Sequence, residues 1–156
     1  MDRPTAIKRA GLGAGVVAAI TPLVMLYEGS SLKPYLDPVG IATVCYGETN
    51  VAMREYSPQE CKSMLQKSLQ VHGDEMMQCL PTGIPEPILA ASLSLAYNIG
   101  VSKFCGSTLA QFLREGQYLN ACNEFPKWNR AGGKVLNGLV KRRAAERDVC
   151  LTGVPQ

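Results

Sequence analysis

A chain of 156 residues, 46% hydrophobic and 19% charged, suffices for one domain with a sizeable core, and no stretch is low-complexity or repetitive. Its net charge of +3 mildly favours an anionic surface, but there is no basic stripe with interleaved aromatics, which argues against a nucleic-acid partner. Six cysteines without a Cys-x-x-Cys pair, beside a single histidine, argue for disulfides in an oxidising compartment and against a zinc site.

The N-terminal residues carry Arg3, Lys8 and Arg9 against Asp2, and the run from Ala10 to Tyr27 that follows has no charge. As a helix that run would extend roughly 27 Å, just enough to span an apolar bilayer core of about 30 Å. Basic residues before it predict an N-in, C-out orientation. Gly, Ala, a Thr and Pro22 make it only weakly apolar, so its hold on a membrane should be marginal. A cleaved signal peptide is one reading, although a cut near Ala18 or Ala19 leaves only a stub of the helix leading to Glu28. A buried first helix of a cytosolic protein is another, against which the cysteine count stands.

The stretch Glu28 to Gly47 organises the chain. Glu28 follows the apolar run directly, Asp37 lies in the turn Leu36-Asp37-Pro38-Val39-Gly40, and Thr43 lies in a short alternating segment, Ile41 to Tyr46. A helix end would deliver Glu28 to one wall of a cleft, and a β-hairpin would deliver Asp37 and Thr43 to the other. Two acids in different surroundings can hold different protonation states, which glycoside hydrolysis requires. The same residues also have plain readings: a surface acid, an Asp-Pro turn former and a β-branched strand residue.

Ser57-Pro58-Gln59-Glu60 is a helix start with the makings of a capping box. A long helix follows, with Cys61, Met64, Leu65, Leu69, His72, Met76 and Cys79 near helical spacing and Gly73 as its weak point. The methionines read as core and His72 as a structural or surface residue. After the break at 81–87, Ile88 to Ile99 is almost uncharged and reads as a buried central helix ended by Gly100. Short helices are expected at Ser107 to Arg114 and Tyr118 to Phe125. Lys127 to Lys134 reads as a loop in which Trp128 anchors the core rather than stacking on a sugar. A last amphipathic helix, Val135 to Leu151, should turn Leu136, Leu139, Val140, Ala144 and Cys150 inward and leave Lys141, Arg142 and Arg143 solvated.

The pattern Glu28-x8-Asp37-x5-Thr43, set before Cys45-Tyr46-Gly47, resembles the catalytic motif of the phage-type lysozymes, glycoside hydrolase family 24. Ala96 to Gly100, Phe104 to Leu109 and Trp128 to Gly133 are also similar to that family, in the right order, so the resemblance covers roughly residues 23 to 151. It implies an α+β, mostly α fold: a two-lobed domain with a small β-hairpin lobe, a long connecting helix and a helical lobe. It also implies pairing of Cys122 with Cys150 and of Cys45 with Cys61, leaving Cys79 with Cys105.

The implied activity is hydrolysis of peptidoglycan glycan strands between N-acetylmuramic acid and N-acetylglucosamine, with no metal or organic cofactor and by a monomer. Glu28 would be the general acid, its neutral form favoured by desolvation beside apolar helix residues. Asp37 would stay ionised, and Thr43 would help hold the attacking water. The family is understood to invert, which calls for carboxylates roughly 6.5–9.5 Å apart. Residues 1–27 resemble the segment of signal-anchor-release endolysins, which is held in the inner membrane and then escapes to the periplasm. Residues 28–156 would then be the catalytic domain. In that reading Glu28 cannot face Asp37 until the segment leaves the bilayer. With no cysteine in the anchor, control would rest on topology rather than on disulfide exchange.

Overall fold

The structure, a computed structural model, describes residues 11–156. The basic flank formed by Arg3, Lys8 and Arg9, on which the expected membrane orientation rests, lies outside the described residues. Helix α1, Ala14–Glu28, buries Val16, Val17, Ile20, Thr21 and Val24. These lie one, three or four residues apart, the spacing of a single helical stripe. Pro22 interrupts the helix but sits on its exposed side, where the carbonyl it leaves without a donor can reach water. Among the described residues, no helix is long and apolar enough to cross a membrane.

Strands β1, Ser31–Leu36, and β2, Ala42–Cys45, form an antiparallel hairpin with Tyr35 opposite Thr43 and Leu36 opposite Ala42. The chain then folds back through reciprocal bonds between Val44 and Glu48, of 3.0 and 2.9 Å. That tight loop puts Cys45 at φ 59°, the one non-glycine residue with positive φ among those described. An L residue there costs about 1–2 kcal/mol, and the cross-link from Cys45 to Cys61 holds the loop to the helix that begins at Pro58.

Helix α2, Pro58–Met77, starts with the expected capping box: Glu60 N–H donates to Ser57 Oγ, and Ser57 N–H donates to Glu60 Oε1, both at 3.1 Å. It buries Cys61, Leu65, Leu69, Gly73 and Met76. Helix α3, Glu86–Ile99, is buried at every position from Ile88 to Ala96 and forms the centre of the helical lobe, packed by α1, α2 and the last helix. Three short helices follow: α4 Val101–Cys105, α5 Thr108–Arg114 and α6 Tyr118–Cys122. The expected helix to Phe125 breaks after Cys122 and resumes as a single 3-10 turn, Phe125–Lys127, where Pro126 cannot donate. The expected loop at 127–134 carries a two-residue hairpin, β3 Arg130–Ala131 with β4 Lys134–Val135, before α7, Asn137–Thr152.

Helix α7 overturns the expected orientation. Arg142 and Arg143 are 3% and 1% exposed, whereas Leu136 and Val140 are 44% and 42% exposed and Ala144 is exposed. Charge wins the inner face because every buried cation there has acceptors waiting. Arg143 Nε donates to the Trp128 carbonyl at 2.7 Å, and its other nitrogens donate to Glu146 and to Asn98 Oδ1. Cys150 does point inward as expected. The three cross-links are Cys45–Cys61, Cys79–Cys105 and Cys122–Cys150, with Cα separations of 5.0, 5.9 and 5.6 Å, in the pairing implied by the resemblance.

Candidate active site

Glu28 is the last residue of α1, and Gly29 at φ 66° then turns the chain towards the hairpin. Its surroundings differ from the apolar ones expected. Arg142 Nη1 donates to Glu28 Oε1 at 2.6 Å, and the glutamate side chain is 22% exposed against 3% for the arginine. The same guanidinium donates through Nη2 to the Ser94 carbonyl and hydroxyl, at 3.1 and 3.2 Å. Arg142 therefore ties the end of α1 to α3 and α7 at one point, and it fixes one carboxyl oxygen while leaving Oε2 outside the pair. Sequence reasoning missed Arg142. Its (i, i+4) relation to Glu146 was the available signal, but that spacing also marks exposed pairs.

Asp37 does build the hairpin turn, as its plain reading holds. Its Oδ1 accepts the N–H groups of Val39 and Ile41 at 3.0 and 2.9 Å, and its own N–H donates to the Ile41 carbonyl at 2.9 Å. The carboxylate, half-buried within an otherwise exposed turn, is thereby held in one orientation, with Oδ2 outside those bonds. Thr43, on β2, is 4% exposed, and its hydroxyl donates to the Ile41 carbonyl at 2.9 Å. With its proton committed to Ile41, Thr43 Oγ1 can offer only lone pairs to a further partner.

A cavity of about 370 Å³ opens beside Glu28 and is walled by Tyr46, Glu48, Asn50, Ser68, His72 and Tyr97, but not by Asp37 or Thr43. Glu48, a third carboxylate not singled out in the sequence, accepts from Ser68 Oγ at 2.7 Å. His72 has its Nδ1 2.7 Å from the Ser68 carbonyl, and its ring packs edge-on with that of Tyr97, the centroids 4.9 Å apart. Tyr97 donates to the Tyr46 carbonyl at 3.4 Å. Burial first, then the negative charges of Glu28 and Glu48, push its phenol up to about 12, so it remains a neutral donor at any working pH. Between pH 10 and 12 the unfolded chain releases this proton and the folded one keeps it, so stability falls as pH rises through that window. A spectrophotometric titration should show one of the six tyrosines ionising late, and Tyr97→Phe should abolish that late step.

Trp128 packs against the core, as expected, and also walls a second cavity of about 430 Å³ with Lys103, Arg130 and Leu136.

A mostly α domain with a small antiparallel hairpin after its first helix, and a glutamate closing that helix beside a cavity, has the fold of a lysozyme. The phage lysozyme family matches residues 25–146, and the chain belongs to that family. It is similar to the SAR-endolysin of Bacteriophage PS119, at 40% identity over 129 residues, covering 81% of this chain and 77% of that protein. The SAR-endolysin of Enterobacteria phage P21 is 36% identical over 153 residues, covering 92% of this chain and 93% of that one. Among solved structures, a P22 lysozyme mutant superposes with a TM-score of 0.77 at 26% identity, covering 92% of this chain and 99% of that one. The active form of the P1 phage endolysin Lyz shares the fold with a TM-score of 0.76 at 24% identity, covering 95% and 98%.

Proposed function

We propose that this chain is a phage endolysin, a muramidase that hydrolyses peptidoglycan glycan strands and so lyses the host cell. One observation carries the reading: Glu28 ends the first helix at a cleft, and Arg142 pins it by a single oxygen, in a chain of the phage lysozyme family. Glu28 is the general acid. Oε1 stays with Arg142, and Oε2 carries the proton that passes to the leaving glycosidic oxygen. Asp37 remains ionised, faces the oxocarbenium-like charge and takes a proton from the attacking water. Thr43, whose own proton is given to Ile41, accepts from that water, so both of its hydrogens point away from the sugar and a lone pair faces C1. Attack on the face opposite the leaving group inverts the anomeric centre. No cofactor is called for, and the enzyme works as a monomer.

Residues 1–27 act as a signal-anchor-release segment. They hold the chain in the host inner membrane, N-in and C-out, until it escapes into the periplasm, and the names of the PS119 and P21 relatives support this route. Digestion of purified peptidoglycan by the oxidised protein should yield new muramic acid reducing ends, released first as the α anomer in proton NMR. New glucosamine reducing ends, or cleavage of stem peptides alone, would sink the muramidase reading. The β anomer released first would sink inversion only.

A further inference from the structure

The start of α1 is gripped by α2 in a way that catalysis does not explain. Leu12 lies just ahead of α1 and is 5% exposed, so both polar groups of its backbone need partners. Its N–H donates to Asp74 Oδ1 at 2.9 Å, and its carbonyl accepts from Gln70 Nε2 at 2.7 Å. Gln70 Nε2 also lies 2.9 Å from Asp74 Oδ1, closing a ring of three hydrogen bonds around one residue. Two glycines make the approach close enough. A Cβ on Gly11 would stand 2.4 Å from Asp74 Oδ1, and a Cβ on Gly73 would stand 2.5 Å from Leu12 Cδ2. Gly73 is the weak point in the middle of α2, and the fit of Leu12 against it is a reason for glycine there.

Between its two ends α1 buries Val16, Val17, Ile20, Thr21 and Val24. It borders one cavity of about 340 Å³ against α2 and another of about 300 Å³ against α3 and α7. Polar contacts also fasten the helix at each end: at Leu12 by Gln70 and Asp74, and roughly 24 Å away at Glu28 by Arg142.

We propose that Gln70, Gly73 and Asp74 form a receptor site for the Gly11–Leu12 peptide, and that filling this site keeps the released N-terminal segment docked on the enzyme instead of in the bilayer. This rests on the reading of residues 1–27 as a signal-anchor-release segment. The clasp and the bilayer compete for the same residues. A peptide group gripped by α2 cannot enter an apolar phase, and one lying in that phase has lost its two side-chain partners.

The test uses the full-length oxidised protein with vesicles of phosphatidylethanolamine and phosphatidylglycerol, reading vesicle-bound against free protein by flotation and the kcat of the free fraction on peptidoglycan. Asp74→Leu removes the shared acceptor and should raise the bound-to-free ratio about tenfold, with the kcat of the free fraction unchanged. Asp74→Asn keeps the Oδ1 acceptor and should restore the wild-type ratio. Gly73→Ala crowds Leu12 while favouring the α2 helix, so an increase in its bound fraction cannot be blamed on a weakened fold. Partition of Asp74→Leu and Gly73→Ala like the wild type would overturn the clasp. Failure of every form to bind vesicles would overturn the anchor reading along with it, and a wild type that partitions but digests no peptidoglycan would overturn the enzymatic reading alone.

Discussion

Glu28→Gln should lose about three orders of magnitude in peptidoglycan hydrolysis while melting within a few degrees of the wild type. Removal of a general acid of this kind costs roughly 10²–10⁴ in rate. The glutamine has no proton of the required acidity to give to the glycosidic oxygen, yet its carbonyl oxygen can still accept from Arg142 Nη1 where Glu28 Oε1 now sits at 2.6 Å. Arg142 also keeps both bonds to Ser94, so the junction of α1, α3 and α7 stays closed. Turbidity assays on purified walls, beside calorimetric melting, separate the two effects. Comparable lysis by the variant would remove Glu28 from its role, and a collapsed melting temperature would mean that the pair with Arg142 holds the fold more than the chemistry.

Much of the fold is legible in the sequence, because its signals are local or periodic. Ser57 and Glu60 announce the start of α2, the uncharged run Ile88 to Ile99 announces the buried helix, and Leu36 to Gly40 announces the hairpin turn. The candidate catalytic residues are legible for another reason. Their spacing alone permits a surface acid and a turn former, and Asp37 is indeed a turn former. Only the likeness to a family raises them above that.

What escaped the sequence depends on partners distant along the chain. Lys141-Arg142-Arg143 reads as a solvated face because period and charge give no sign of which side of α7 meets acceptors. Ser94, Asn98, the Trp128 carbonyl and Glu28 supply those acceptors from other elements. The turn of Leu136 and Val140 to the surface is the other half of the same event. Gly73 likewise reads as a flaw in α2 until Leu12, sixty-one residues earlier, is seen lying against it.

The buried face of α7 makes the largest stability effect predictable. Arg143 is 1% exposed and Glu146 is fully buried, and Arg142 Nε faces Glu146 Oε2 at 3.5 Å without a hydrogen bond. Arg143→Met removes the donor that Glu146 Oε1, Asn98 Oδ1 and the Trp128 carbonyl share, leaving three acceptors in the interior with no replacement on that side chain. Breaking one side of a buried pair costs about 3–5 kcal/mol, which for a chain of this size lowers the melting temperature by roughly 10 °C. The pH dependence carries a sign as well. Burial pushes the Glu146 carboxyl up, and the Arg143 guanidinium is the strongest influence pulling it back. Without Arg143 the carboxyl rises further. A group raised in the folded state adds stability below its unfolded value and loses it as pH rises through the folded one. The deficit of Arg143→Met should therefore be largest near neutral pH and narrow as pH falls into the carboxylate range. A deficit that stays constant from pH 7 to pH 4.5 would mean that the lost hydrogen bonds to Asn98 and Trp128, not the charge left on Glu146, dominate the cost.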